Sequence, residues 1–284
     1  MLDFMHQITV IANVLTPVLE RGFLFSIVVA GLYVTSRVLH RDDLTTEGSF
    51  GLAGAVTALF LSSEYSPLFS LVAGVFAGMS AGFVTGLIHT KIKVNHIIAG
   101  LIVTSALFSI QLKVAGAHRV INVLSNSLMS WEVVLLLAGA ALGTYFLLSW
   151  FLQTEVGLIM RAVGLNPSLV ASLGKSPDAY VIFGFMIANF FTGFAGALFV
   201  LYTGFFSVWA GFGVLVIGLA GLILGELYDT RYGLHYVISA CVYQFIIFVT
   251  YELNIDPDLN RAVTALFILV LLLVHNKVGG LSRD

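Results

Sequence analysis

The feature that most constrains this chain is a succession of long apolar runs separated by short polar stretches. A helix needs roughly 20 mostly apolar residues to cross the hydrocarbon core of a bilayer. An unpaired backbone amide in lipid costs several kcal/mol, so each run must be helical. The sequence therefore predicts an all-α, polytopic transmembrane helical bundle, one domain over residues 1–284 with eight or nine spans, the second of them short. The predicted spans are residues 18–38, 48–63, 67–89, 96–114, 131–150, 180–203, 205–226, 233–251 and 259–276.

The composition excludes a large water-facing surface. Only 10% of the residues are charged and 59% are hydrophobic, whereas a soluble domain carries about 25% charged residues. The formal net charge of −2 gives no basis for nucleic-acid binding. Cys241 is the only cysteine, so an intrachain disulfide is impossible. Residues 1–17 are amphipathic and lack the basic start of a signal peptide, so we expect them at the membrane surface.

The basic residues between the spans indicate the orientation, because cytoplasmic loops are enriched in Lys and Arg. The connections after the odd-numbered spans contain most of them, whereas the last connection on the other side holds Glu252, Asp256 and Asp258. Lys113 and Arg119 are exceptions. This distribution predicts an outer N-terminus and a cytoplasmic C-terminus. The basic residues on the predicted cytoplasmic side are Arg37, Arg41, Lys91, Lys93, Arg161, Lys175, Arg231, Lys277 and Arg283.

Glycine recurs every four residues along the third predicted span, at Gly74, Gly78, Gly82 and Gly86. This spacing places all four residues on one helix face, which another backbone can approach closely. Tight structural packing is the simpler interpretation, and an interface that moves is the alternative.

The connection between the fifth and sixth spans is longer than the others and contains helix start and stop signals. Asn166 is a good N-cap, Pro167 suits the first helical position, and Gly174 is placed to end a helix in the left-handed conformation. The sequence therefore predicts a short helix over residues 167–173, within a cytoplasmic segment over residues 151–179.

The predicted short helix has an apolar side made by Leu169, Val170 and Leu173. An apolar side that faces the cytosol favours docking onto another protein, and a helix without a docking role is the alternative. Gly174-Lys175-Ser176 resembles the end of a phosphate-binding loop, but Leu169 occupies the position of the first required glycine. We therefore expect no nucleotide or other cofactor to bind this chain, and if ATP drives its function, the ATPase must be another chain.

Two stretches resemble a known family of transport proteins. The stretch GLIMRAVGLNPSLVASLG, residues 157–174, resembles the cytoplasmic coupling loop of importer permeases for branched-chain amino acids and ribose-type sugars. The stretch DLTTEGSF, residues 43–50, resembles an element of a subgroup related to proposed tryptophan and tyrosine importers. Lys175 departs from the family pattern, in which an apolar residue is common. The resemblance implies that the following residues couple the permease to an ATPase: Arg161, Gly164, Asn166, Pro167, Leu169, Val170, Ala171, Leu173 and Gly174.

The resemblance also implies an assembly and a function. It implies a permease of an ATP-binding-cassette importer in the bacterial cytoplasmic (inner) membrane. The expected partners are a second permease copy in a homodimer, ATP-binding-cassette ATPase subunits and an external substrate-binding protein. The solute is expected to be a small amphiphile, an amino acid with an aromatic or branched side chain, which moves inward by alternating access.

A polar block over residues 43–49 precedes the short second span, and two further polar residues lie in the sixth span. Acidic residues near the membrane interior are costly, which favours a role in the solute pathway. Capping of a helix at the cytoplasmic surface explains the block equally well, and interhelical hydrogen bonds of about 0.6 kcal/mol explain the other two residues. The candidate pathway residues are Asp43, Thr45, Glu47, Ser49, Asn189 and Thr192.

The remaining patterns favour no catalytic or metal site. No histidine pair has i, i+4 spacing, and no Ser-His-acid arrangement has a supporting motif. Aromatic residues at the outer ends of the sixth and seventh spans are typical of an interface belt, with a gate as the alternative. The aromatic residues are Tyr202, Phe205, Phe206, Trp209 and Phe212.

A secondary transporter driven by an ion gradient is the first rival function, and a membrane enzyme or scaffold is the second.

Overall fold

The computed structural model describes residues 2–116, 119–123 and 130–252 and four isolated positions beyond them, with side chains from residue 15 onward except those of residues 130 and 251. The described fold is helical, with one short two-stranded ribbon. The helices are α1 (Leu2–Tyr33), α2 (Thr45–Ser62), α3 (Pro67–Lys91), α4 (His96–Ala115), α5 (Ser130–Phe151), α6 (Glu155–Leu165), α7 (Pro167–Ser172), α8 (Pro177–Thr203), α9 (Val214–Glu226) and α10 (His235–Glu252).

The described part of the chain confirms a polytopic helical bundle. Six of its segments are long and apolar enough to cross a membrane, and a shorter apolar helix follows at His235–Thr250. Helix α2 has 18 residues, which corresponds to about 27 Å, and most of its side chains are buried in protein. The predicted ninth span, residues 259–276, lies outside the described ranges apart from isolated positions.

The first helix lies at the centre of the bundle. Its backbone is helical from Leu2 to Tyr33 and continues into a π-helical turn at Val34–Val38, so the helix begins well before the predicted start at residue 18. The backbone of the predicted surface segment, residues 1–17, is thus continuous with this helix from Leu2 onward. The part from Leu15 to Val38 is mostly buried, because α5, α8, α9 and α10 pack around it.

The glycine face of α3 packs directly against neighbouring backbones, so the close approach that the glycine spacing predicts is confirmed. A Cβ on Gly78 would lie 2.7 Å from the Cα of Gly193 on α8, and one on Gly86 would lie 2.8 Å from the Cα of Ile182. The first glycine of the series, Gly74, faces α2 instead. These close approaches pack α3 against both α8 and α2.

The predicted span over residues 205–226 is wrong as a single helix. Residues Phe205–Ser207 form a strand, Val208–Gly211 form a 3₁₀ turn, and the α-helix begins only at Val214. Gly213 breaks the helix because it adopts φ +87°, a left-handed backbone conformation. The resulting α9 has 13 residues, about 20 Å, and reaches spanning length only together with the 3₁₀ turn, as the 19-residue segment Val208–Glu226.

The strand before α9 is part of a ribbon that the all-α prediction missed. Strand β1 (Val120–Asn122) pairs antiparallel with β2 (Phe205–Ser207), and Ile121 lies opposite Phe206. Three-residue strands carry almost no periodicity, so the sequence pattern could not reveal them. The ribbon joins the end of α4 to the end of α8.

Candidate functional site

Asp43 organises the start of α2. Its Oδ1 accepts a hydrogen bond from the backbone N–H of Thr45 over 2.8 Å, and its carbonyl oxygen accepts one from Thr46 Oγ1 over 3.1 Å. The N-cap residue of α2 is Leu44, and no side chain caps this helix start. Asp43 therefore holds the residues next to the helix start but is not the surface cap that the sequence offered as an alternative. Its side chain lies in the interior, with an exposed fraction of 1%.

The same carboxylate joins α2 to α8, and Thr45 extends the connection to α3. Asn189 on α8 donates from Nδ2 to Asp43 Oδ2 over 2.6 Å. Thr45 Oγ1 and Thr85 Oγ1, on α2 and α3, share a hydrogen bond over 2.7 Å. We call Asp43, Thr45, Thr85 and Asn189 the polar cluster. All four are buried, so the polar cluster is closed to solvent in this conformation.

Two of the candidate pathway residues make only local contacts. Ser49 Oγ donates to the carbonyl oxygen of Thr46, and Thr192 Oγ1 donates to that of Ala188. Such bonds to the preceding turn are the usual way in which a buried hydroxyl on a helix is satisfied. The structure thus brings Asp43, Thr45 and Asn189 together and leaves Ser49 and Thr192 outside the polar cluster.

Glu47 points away from the polar cluster, towards the start of α9. Its Oε1 accepts a hydrogen bond from the backbone N–H of Gly213 over 2.9 Å. Gly213 is the N-cap residue of α9, where unpaired N–H groups and the helix dipole favour a negative charge. Glu47 is half-buried, and its hydrogen bond to Gly213 holds the start of α9 against α2.

A cavity of about 230 Å³ opens beside Glu47, between α2, α4 and the turn before α9. Its wall combines the Glu47 carboxylate with the hydroxyl-bearing Thr104 and Ser105 and the amide of Gln111. Gln111 Nε2 donates to the carbonyl oxygen of Gly48 over 3.0 Å, which fixes the amide against α2. We call this space the α2–α4 cavity.

Aromatic rings form the other part of the α2–α4 cavity. Phe108 and Phe212 line the cavity, and their ring centroids are 5.3 Å apart. Trp209 is not a lining residue, but its ring packs on both, with centroids 5.9 Å from that of Phe108 and 5.5 Å from that of Phe212. Phe206 on β2, by contrast, is buried in an apolar cluster with Ala58 of α2 and Val200 of α8. A carboxylate beside aromatic rings suits a small amphiphile with a cationic or hydrogen-donating end and an apolar end.

The sequence reasoning missed the contribution of α4. Thr104, Phe108 and Gln111 recur at intervals of four and three residues, which places them on one helix face. Polar side chains at such intervals in an otherwise apolar helix are the signal that would have indicated this face.

The segment over residues 151–179, which the sequence predicts to be a cytoplasmic loop, contains two helices, α6 and α7. Asn166 Oδ1 accepts from the backbone N–H of Leu169 over 3.1 Å, and Pro167 is the first residue of α7. Gly174 adopts φ +76° shortly after the helix ends. The predicted capping pattern is therefore confirmed, and α7 ends one residue earlier than predicted.

The three apolar residues of α7 do not share one environment. Val170 has an exposed fraction of 1% and packs against Val163, Val181 and Phe185. Leu169 and Leu173 remain 53% and 71% exposed. Val170 thus anchors α7 to α6 and α8, whereas the two leucines leave an apolar surface without cover among the described residues.

The other predicted coupling residues lie around this short helix. Gly164 packs against the backbone of Val38 and leaves no room for a side chain, whereas Ala171 is exposed. Arg161 lies on α6 and lines a different cavity, which is described below. Lys175 pairs with Glu155 at the surface, and the ion pair raises the pKa of Lys175 and lowers that of Glu155.

The bundle, with six segments long and apolar enough to cross a membrane, defines a multi-pass membrane protein. Residues 14–275 match the family described as "Branched-chain amino acid transport system / permease component". The chain belongs to this family, whose members are transport components and not catalysts. The resemblance inferred from the sequence is thus confirmed.

Relatives with assigned functions cover several solutes. The chain is 27% identical over 266 residues to the tyrosine transport system permease protein of Clostridioides difficile, covering 91% of this chain and 90% of that protein. It is 26% identical over 205 residues to the nucleoside ABC transporter permease protein NupC of Lactococcus lactis, with coverage of 65% and 61%. It is 26% identical over 189 residues to the autoinducer 2 import system permease protein LsrC of Escherichia coli, with coverage of 64% and 55%. No solved structure gives a significant match.

Proposed function

We propose that this chain is the membrane-spanning permease subunit of an ATP-binding-cassette importer and that a partner chain hydrolyses the ATP. The observation that carries the proposal is α7, a capped helix that is anchored by Val170 and leaves Leu169 and Leu173 exposed. Exposed apolar side chains on an anchored helix suit a protein partner. The family membership supports the same assignment.

The packing of α7 offers a route for coupling. Val170 and Phe185 of α8 belong to the same buried apolar cluster. The Phe185 carbonyl oxygen accepts a hydrogen bond from Asn189 Nδ2 over 2.8 Å. Asn189 in turn holds Asp43 in the polar cluster. A displacement of α7 by the partner ATPase would therefore reach the start of α2 through α8. In this proposal, alternating access arises from rigid-body movement of α8 against α2 and α3.

The solute is proposed to pass through the α2–α4 cavity. The Glu47 carboxylate would bind an amino group, and Phe108 and Phe212 would contact an aromatic or branched side chain. An amino acid fits both requirements, and the tyrosine permease of Clostridioides difficile has a name consistent with this class. The polar cluster, which is closed here, is proposed to open at another stage of the cycle.

The proposed assembly contains two copies of this chain, two ATPase subunits and an external substrate-binding protein. It lies in the bacterial cytoplasmic membrane, with the N-terminus outside and with α6, α7 and the C-terminus on the cytoplasmic side. Lys91 and Lys93 after α3 and Lys175 after α7 support this orientation, because cytoplasmic loops are enriched in Lys and Arg.

Affinity purification of the tagged chain from native membranes tests the function. We expect an ATP-binding-cassette ATPase to co-purify, and Leu169→Asp to release it, because the substitution places a charge on the docking surface. Ile92→Asp is a matched control, since Ile92 is also exposed but follows α3. A chain that purifies without any ATPase, or equal loss with both variants, would contradict the proposal.

A secondary transporter driven by an ion gradient is the second candidate. One observation favours it, namely the carboxyl group of Asp43, which is buried beside Asn189. Buried ionisable residues often carry protons or ions in such transporters. Uptake that persists after ATP depletion and stops when the ion gradient is dissipated would favour this candidate over the importer.

A further inference from the structure

A second cavity, of about 430 Å³, lies between the end of α1, α5, α6 and the connection from α9 to α10. Three arginines, Arg37, Arg161 and Arg231, line it from three different elements. No aspartate or glutamate is among its described lining residues. We call this space the arginine cavity.

The positive charge of the arginine cavity is only partly neutralised. Arg37 makes a bidentate ion pair with Glu226 at the end of α9, and its Nη2 donates to Oε2 over 2.8 Å. Among the described side chains, neither Arg161 nor Arg231 forms an ion pair. The Asp229 carboxylate is nearby, but it accepts the backbone N–H of Arg231 over 3.0 Å. Two guanidinium groups therefore remain available for an anion.

Neutral donors complete the wall. Tyr145, Ser149 and Tyr232 line the arginine cavity, and burial raises the pKa of Tyr232, so its phenol keeps its proton. The Ser149 Oγ is buried and has no hydrogen-bond partner among the described residues. A buried hydroxyl without a partner is uncommon, and a ligand that accepts a hydrogen bond in the cavity would satisfy it.

Helix α5, which carries Tyr145 and Ser149, also presents an apolar outer surface. Phe146 and Trp150, one turn apart on α5, are 64% and 65% exposed. The Phe146 ring lies 5.1 Å from that of Tyr145, which lines the arginine cavity. A tryptophan near the end of a spanning helix is typical of the membrane interface. The charged cavity and the hydrocarbon region thus meet along α5.

We propose that the arginine cavity binds the phosphate group of an anionic phospholipid whose acyl chains lie along Phe146 and Trp150. Guanidinium groups match phosphate oxygens in bidentate geometry, and basic pockets between spanning helices suit anionic headgroups. Because α6 contributes Arg161, the bound lipid would brace α6 against α1 and α5. This inference does not depend on the solute or on the partner ATPase.

The test measures the thermal unfolding of the delipidated, detergent-solubilised chain during titration with phosphatidylglycerol, phosphatidylcholine or inorganic phosphate. We expect phosphatidylglycerol alone to stabilise the protein. The double variant Arg161→Gln/Arg231→Gln should bind it roughly tenfold more weakly. Lys91→Gln/Lys93→Gln is the matched control, because it removes two exposed positive charges from residues that do not line the cavity.

The outcomes are distinct. Equal responses of the two double variants would overturn the proposal, because the effect would then follow net charge alone. An equal shift with inorganic phosphate would overturn the lipid assignment in favour of a soluble anion. If the double variant does not fold, Arg231→Gln alone serves, since Arg231 is exposed in a connection between helices and its loss should still weaken lipid binding several-fold.

Discussion

Asn189 Nδ2 lies 2.6 Å from Asp43 Oδ2, although the two residues are 146 positions apart in the sequence. This hydrogen bond ties the connection between α1 and α2 to the middle of α8. On its other side, the connection is held to α4, where His96 Nδ1 lies 2.9 Å from the Asp42 carbonyl oxygen and Thr104 Oγ1 donates to the Leu44 carbonyl oxygen over 2.8 Å. The Asp43–Asn189 pair adds the contact that ties the start of α2 to α8.

Replacing Asn189 with Ala should destabilise the protein by about 2 kcal/mol, because it leaves the buried Asp43 carboxyl without a donor from α8. Thr192→Val is the matched control. It removes a polar group one turn away that bonds only to its own helix, so it should cost well under 1 kcal/mol. Thermal unfolding in detergent measures both effects. An equal loss with the two variants would show that the interhelical bond contributes nothing.

Gly78→Ala should destabilise the protein by about 1–3 kcal/mol, because the added methyl group overlaps the backbone of α8. Gly139→Ala provides the comparison, since Gly139 is an exposed glycine on α5 and a methyl group added there would have no neighbouring atom within 4 Å. That variant should be neutral or slightly stabilising, because alanine is the better helix former. Stability of both variants in thermal unfolding would refute the close packing of α3 on α8.

Gly174→Val should impair ATPase co-purification and leave membrane insertion intact. The residue adopts φ +76°, a conformation that costs a side-chain-bearing residue about 1–2 kcal/mol, and more if the side chain is β-branched. Gly174→Asn should be tolerated, because asparagine adopts this conformation more readily. Comparable co-purification of the valine variant and the unchanged chain would argue against a role for the turn after α7.

Glu47→Gln should preserve the fold and weaken solute uptake. The glutamine side-chain oxygen can still accept the Gly213 N–H, but the negative charge proposed to bind an amino group is lost. Loss of one charge-assisted contact corresponds to about a tenfold weaker apparent affinity. Uptake into proteoliposomes that contain the complete importer measures this effect. Ser109→Ala on α4 is the control, because Ser109 does not line the α2–α4 cavity, and an equal effect of both variants would remove Glu47 from the pathway.

The elements that the sequence predicted correctly depend on local patterns. The capping of α7 by Asn166 and the glycine face of α3 could be predicted because a cap or a helix face involves residues within a few positions of one another. The break before α9 was missed because no local pattern marks it. It depends on the left-handed conformation of Gly213, which is one glycine among 28 in the sequence.

By itself, the sequence determined that this chain spans the membrane as helices, since runs of apolar residues must pair their own backbone groups in lipid. It also determined the family and the capped helix α7. Only the tertiary structure decided that Asp43 meets Asn189, that α4 shares a cavity with Glu47, and that three arginines converge. Those contacts join residues far apart in the chain, and their partners are set by helix packing, which hydropathy does not encode.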